Sequence, residues 1–213
     1  RFKVFHNGNS ALTNNEVRAL HEDPRGILWV STTSGGLYRL ENGELRKDES
    51  PIESRTINAI SSSRDGALLV GTGNGLYRLS GGATARFTTE EGLWSNAVTA
   101  LAEGPDGRVF VGTENGVNIL ASGRLSRGPQ PDDPQQGVNG LLVDREGSLN
   151  VAGRTIERFA PSGERTLLIP SPGQGAYAPF QDQDGVVWVG TYGGGIGRLR
   201  NGALETIGQD QGF

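Results

Sequence analysis

His6 and His21 are the only imidazoles in this 213-residue chain, and cysteine is absent. That inventory bounds the chemistry. Thiolate nucleophiles, disulfides and cysteine-held zinc are excluded. Two histidines do not make a His-rich metal site or a multi-histidine relay. His21 lies in a strand-like run, where a lone imidazole reads as structural. Among the carboxylates, Asp182-Gln183-Asp184-Gly185 opens like a calcium loop but lacks the distal Glu and further oxygen ligands that such a loop needs. Ser61-Ser62-Ser63 reads as a polar strand end, and no Ser-His-Asp set can be assigned. Gly193-Gly194-Gly195 suggests a phosphate cradle, but no helix follows to supply a dipole, so it reads as a turn. The sequence therefore implies no catalytic residue, no metal and no cofactor, and the chain is expected not to be an enzyme.

The elements that carry these residues come from a repeat. Hydrophobic residues make up 34% of the chain, and Gly contributes 34 residues without a three-residue period. This points to many short strands joined by tight turns. One phrase returns five times, as Gly26-Ile27-Leu28-Trp29-Val30-Ser31-Thr32 and then from Gly66, Gly107, Gly147 and Gly185, at spacings of 40, 41, 40 and 38 residues. Each unit reads as four strands, A to D. An Asp-and-Gly turn joins A to B, a Gly-rich turn joins B to C, and a third Gly turn such as Asn42-Gly43 joins C to D. In the first unit the strands are expected near Val17–Glu22, Ile27–Thr32, Leu37–Glu41 and Glu44–Lys47.

Strand B is apolar at consecutive positions, so both of its faces must be covered. Face-to-face stacking of four-stranded antiparallel sheets gives that cover, and the fold class is read as an all-β propeller. The repeats run about 13–53, 54–93, 94–134, 135–173 and 174–213. Residues 1–12 look like a strand D and its connection, belonging to the preceding or the last blade. Five repeats fit either a closed five-bladed ring or a window of a larger, for example seven-bladed, propeller. Open blade edges would favour self-association.

The net charge of −4, with Lys and Arg scattered, argues against a nucleic-acid partner. No run approaches the roughly 20 apolar residues of a membrane span. The chain begins at Arg1 and contains no Met, so it reads as processed or cut from something longer.

The repeat resembles the two-component regulator propeller family. Copy one carries Asn15, Val17, Asp23, Gly26, Leu28-Trp29-Val30, Thr32, Gly35-Gly36-Leu37 and Arg39. Copy three carries Gly92-Leu93, Asn96, Val98, Asp106-Gly107, Val111-Gly112-Thr113 and Gly116. Copy five carries Asp182, Gly185, Val187-Trp188-Val189-Gly190-Thr191, Gly194-Gly195-Ile196 and Arg198. Copy two replaces the Trp with Leu69. Copy four has Asn150 in that slot and loses the Thr and the B–C glycines. The resemblance implies a periplasmic or extracellular sensor region of a bacterial signal-transduction receptor, with a kinase or cyclase output domain on the full-length chain. It also implies a small polar ligand, such as a carbohydrate.

In a propeller, the D–A and B–C connections share the face around the central funnel. Two slots near strand A are mostly polar there. The first holds Asn15, Arg55, Asn96, Gln136 and Gln174; the second holds Arg18, Asn58, Thr99, Asn139 and Tyr177. Trp94 and Tyr192 add aromatics in loops, where the blade core does not need them. The candidate ligand-binding residues are therefore Trp94, Tyr192, Arg18, Asn58, Thr99, Asn139 and Tyr177. Trp29 and Trp188, in mid-strand B, are read as core. The alternative function is a structural or protein-interaction propeller, truncated or engineered, without a small-molecule ligand.

Overall fold

The computed structural model describes residues 2–54, 56–132, 137–200 and 202–208. Among them there is no helix, and the strands form five four-stranded antiparallel sheets. The first holds β1 (Val17–Glu22), β2 (Leu28–Thr32), β3 (Gly36–Glu41) and β4 (Glu44–Lys47). The second holds β5 (Ile57–Ser62), β6 (Leu68–Thr72), β7 (Gly75–Ser80) and β8 (Ala83–Phe87). The third holds β9 (Val98–Glu103), β10 (Val109–Thr113), β11 (Gly116–Ala121) and β12 (Arg124–Arg127). The fourth holds β13 (Gly140–Val143), β14 (Leu149–Ala152), β15 (Thr155–Phe159) and β16 (Arg165–Pro170). The fifth holds β17 (Ala176–Gln181), β18 (Val187–Thr191), β19 (Ile196–Arg200) and β20 (Ala203–Ile207). The chain divides into two compact units, Arg1–Leu101 and Ala102–Phe213.

The A–B turn shows why the strands fall where they do. Its closing glycines, Gly26, Gly66, Gly107, Gly147 and Gly185, all have φ between 78° and 82°. A side chain is disfavoured in that left-handed region. In the first, fourth and fifth sheets the turn opens on Asp23, Asp144 and Asp182. One oxygen of Asp23 accepts the N–H groups of Arg25 and Ile27, and Asp144 and Asp182 accept the matching pairs. The other oxygen accepts from the side chain six residues later. Trp29 Nε1 donates to Asp23 at 3.2 Å, Trp188 Nε1 to Asp182 at 2.6 Å and Asn150 Nδ2 to Asp144 at 3.1 Å. Leu69 and Phe110 have nothing to donate, and Ser63 and Gly104 stand six residues before them. The acceptor is thus present only in the repeats that also supply a donor, and for Asp23 and Asp144, which are buried, an unpaired carboxylate oxygen would be costly. Burial alone would raise the Asp23 pKa, but hydrogen bonds from Arg25, Ile27 and Trp29 outweigh it and hold the group at about 2.

Strand B is covered on both faces. In unit 1, Trp29 and Leu37 pack with Ile57, Ile60, Leu68 and Val70 of the second sheet. Val30, Tyr38 and Leu45 pack in a separate cluster with Leu12 and Phe5. Each such buried side chain contributes about 1.5–3 kcal/mol. Phe2–Phe5, where a strand D was expected, is not in a strand. It is held by side chains instead, with Phe5 against the Val30 cluster and Lys3 Nζ donating to the Gly43 carbonyl. Val17 and Leu20 on β1 are 50% and 62% exposed, whereas Ile57 and Ile60, at the same repeat positions on β5, are 0% and 9%. In unit 2, Ala152 and Ile156 pack with Ala176 and Val189, joining the fourth and fifth sheets. Trp188 is half-buried under the Arg198 guanidinium, 5.8 Å from the ring centre, so it is less a core residue than Trp29 at 6% exposure.

Candidate functional site

The connection from β16 to β17, Ser171–Gly175, is clamped on both sides by backbone hydrogen bonds. Ser171 N donates to Arg154 O at 2.8 Å, and Ala176 N donates to Gly153 O at 2.7 Å. On the other side, Gln174 N donates to Tyr192 O at 2.9 Å and Tyr192 N to Gly175 O at 3.0 Å. Arg154 sits in the B–C turn of the fourth sheet and Tyr192 in that of the fifth. A loop fixed between two sheets in this way is a rigid platform for side chains.

Glycine makes the clamp fit. A Cβ on Gly173, where φ is +69°, would stand 2.4 Å from Tyr192 O, and one on Gly194 would stand 2.7 Å from the Pro172 carbonyl carbon. The triple glycine Gly193–Gly195 is therefore a turn against which Pro172 and Gly173 lie. A side chain at Gly175 would meet Asn139 Nδ2 at 3.3 Å and Tyr177 Cε2 at 3.6 Å. Its absence keeps open a cavity of about 430 Å³ lined by Arg154, Gly173, Gln174 and Gly175. Tyr192 and Tyr177, which flank this segment, are 65% and 43% exposed. Two exposed rings at a connection that borders an open cavity fit the usual composition of a small-molecule site.

Tyr177 owes its direction to an irregular strand. Tyr177 pairs with Gly190 and Phe180 with Trp188, so the register slips between them, and Ala178 takes φ 44°. Pro179 is tolerated because β17 is the edge strand of its sheet. Gly140 makes room for the bulge, since a Cβ there would stand 2.5 Å from Pro179 Cδ.

The structure thus brings Asn139, Tyr177 and Tyr192 together in unit 2, with Arg154 and Gln174 beside them. Arg18, Asn58, Trp94 and Thr99 lie in unit 1. Arg18 is exposed and Asn58 half-buried, and each sits where the strand register slips, so the polar slot there is a β-bulge. Asn58 Nδ2 is committed to Val98 O at 2.8 Å. Trp94 and Thr99 are half-buried. In the first slot, Asn15 and Asn96 accept the backbone N–H groups of Asn7 and Thr89 and so hold their own loops. Arg55 and Gln136 lie outside the described residues.

One pairing went unseen in the sequence. His21 Nε2 lies 2.7 Å from Ser62 Oγ, and Ser62 lines a cleft of about 560 Å³ between the first two sheets. Burial pushes the His21 pKa down, against the pull of Asp23. Both oxygens of Asp23 already accept from Arg25, Ile27 and Trp29, so no free carboxylate orients the imidazole as in a triad. Among the described residues, no group of three or more His, Asp or Glu side chains could hold a metal ion.

The sequence profile of the two-component regulator propeller family matches residues 11–34 and 92–115. These two stretches are similar to repeats of that family. They span the entry to the first and third sheets, through the A–B turn and strand B. No curated protein sequence is significantly similar to the chain. Solved structures are. Virginiamycin B lyase from Staphylococcus aureus superposes with a TM-score of 0.77 at 19% identity, over 91% of this chain and 71% of that one. The extracellular domain of the B. thetaiotaomicron hybrid two-component system BT3049 gives 0.76 at 21%, over 96% of this chain but only 30% of that one. XC5397 from Xanthomonas campestris, a gluconolactonase, gives 0.63 at 18%, over 81% and 68%. At these identities the likeness is one of fold, and the fold is that of a β-propeller.

Proposed function

We propose that this chain is the ligand-sensing propeller of a bacterial signal-transduction receptor, binding a small polar ligand at the Ser171–Gly175 platform. One observation carries the reading. Two exposed tyrosines adjoin the clamped Ser171–Gly175 connection, where Arg154, Gln174 and two glycines line a cavity. Aromatic faces bind the apolar side of a sugar ring or similar polyol, and the Asn139 and Gln174 amides pair its hydroxyls. The regulator-propeller repeats and the likeness to an extracellular two-component domain support the receptor context. In that context the chain lies in the periplasm or outside the cell, and a kinase or cyclase on the full-length protein reads the signal.

This reading is non-enzymatic. The S. aureus lyase with the same fold is inactivated when one of its histidines becomes alanine. Here the two histidines lie in unit 1, outside the platform. His6 Nδ1 accepts the Gly8 N–H, and His21 pairs with Ser62.

The test is a thermal-shift screen of the chain against neutral and acidic mono- and disaccharides. At least one is expected to raise Tm, and Tyr192→Ala and Tyr177→Ala should each abolish the shift while leaving the unliganded Tm within a degree or two. If no compound moves Tm, the sensor reading gives way to a structural or protein-interaction propeller.

A further inference from the structure

Arg154 gives the platform a charge that the repeat does not call for. Counted from the A–B glycine, the matching positions in the second and third repeats hold Gly73 and Glu114, and counted back from strand C they hold Asn74 and Asn115, so neither carries a cation there. In the fourth repeat the strand-B Thr and the turn glycine are replaced, and the turn reads Ala152-Gly153-Arg154-Thr155. The change does not serve the turn. Only the backbone oxygen of Arg154 is used, by Ser171 N at 2.8 Å, and the guanidinium has no hydrogen-bond or ion-pair partner among the described residues. Three other arginines of unit 2 are paired. Arg158 pairs with Asp144 and Glu146, Arg165 with Asp132 and Glu157, and Arg198 with Glu205. Among the described residues, the cavity that Arg154 lines holds Gly173, Gln174 and Gly175 and no carboxylate. An exposed arginine at an open cavity, with no carboxylate paired to it among the described residues, is suited to recognise an oxyanion, because its planar fork matches carboxylate, sulfate or phosphate oxygens.

Resting on the sensor reading above, we propose that the ligand is an acidic sugar: a polyol ring held by Tyr177, Tyr192 and the Asn139 and Gln174 amides, bearing an oxyanion that pairs with Arg154. The tyrosines and amides serve the neutral part of the ligand and so set whether a sugar binds at all. Arg154 sets which sugar.

The experiment is calorimetric titration of the chain with galactose, galacturonate and galactose 6-sulfate at low and moderate salt. An acidic sugar should bind at least about tenfold more tightly than galactose, with the preference falling as salt rises. Whichever of the two acidic sugars binds more tightly identifies the oxyanion. Arg154→Gln should bring the acidic sugars down to the galactose level and leave galactose unchanged, and Arg154→Lys should restore part of the preference. Both substitutions lie on an exposed turn side chain, and an unchanged unliganded Tm verifies the fold. Equal binding of all three sugars, insensitive to Arg154→Gln, overturns the charge assignment and leaves the polar-ligand site standing. If none of the three binds, and the wider screen is also silent, both fall together.

Discussion

Asn150 occupies the slot where two other repeats carry tryptophan, and by sequence it marks an eroded copy. The structure gives it the same work. Its amide donates to Asp144 as the indoles of Trp29 and Trp188 donate to Asp23 and Asp182. Asp144 is buried and also holds Arg158, so removing its donor leaves a carboxylate oxygen under-satisfied. Asn150→Leu is expected to destabilise the chain by about 1–3 kcal/mol. Adding Asp144→Gly, which recreates the third repeat's Gly104 and its apolar partner slot, should cost less than the sum of the two single changes. Urea unfolding of the four proteins measures the coupling, and strict additivity would refute the pairing. The five Asp-containing turns looked interchangeable in the sequence. They are of two kinds, with Asp65 and Asp106 standing two residues later than Asp23, Asp144 and Asp182 within the turn. The difference was readable only by counting back six residues from the strand-B slot and asking whether that slot can donate.

At the scale of elements, the strands were legible because two local signals agree. Left-handed glycines close each A–B turn, and consecutive apolar residues in strand B demand cover on both faces. The expected first-unit strands match β1 to β4 within one residue at either end. What the sequence does not carry is the pairing between connections. Arg154 and Tyr192 are 38 residues apart, and only the backbone bonds to Ser171–Gly175 and Ala176 bring them to one platform. The arginine's signal was present, as a charged residue in a turn where Thr155 replaces the glycine that opens strand C, but periodic reading treats such a copy as noise. The platform's dependence on glycine gives a direct test. Gly173→Ala puts a methyl group 2.4 Å from Tyr192 O at a φ of +69°, so the loop must move. The expected loss is about 1–3 kcal/mol of stability, together with at least tenfold weaker ligand binding. Gly163→Ala, in a C–D turn with nothing within 4 Å, is the control and should leave binding intact. Equal effects of the two on binding would mean that the connection does not shape the site.

For the molecule as a whole, the chain carries its candidate groups in two separate units. Arg18, Asn58, Trp94 and Thr99 belong to Arg1–Leu101, and Asn139, Arg154, Gln174, Tyr177 and Tyr192 belong to Ala102–Phe213. The sequence placed its seven candidates around one funnel by repeat arithmetic alone. Only the second set lies at the Ser171–Gly175 connection, where Arg154 and Gln174 line an open cavity and Tyr177 and Tyr192 are exposed. In the larger cleft in unit 1, Asp23 pairs with Arg25 and accepts from the Trp29 indole, and Arg39 pairs with Asp48. The chain spans about a third of the B. thetaiotaomicron extracellular domain that it resembles, and binding is the proposed activity that the chain itself can be asked to show. The most direct measurement is amide chemical-shift mapping by NMR of the 22.5 kDa chain during titration with the sugar that gives the largest thermal shift. The account predicts that the shifts concentrate at Asn139, Gly153–Arg154, Gly173–Tyr177 and Tyr192–Gly194. Perturbations confined to unit 1, or scattered without saturation, would contradict it.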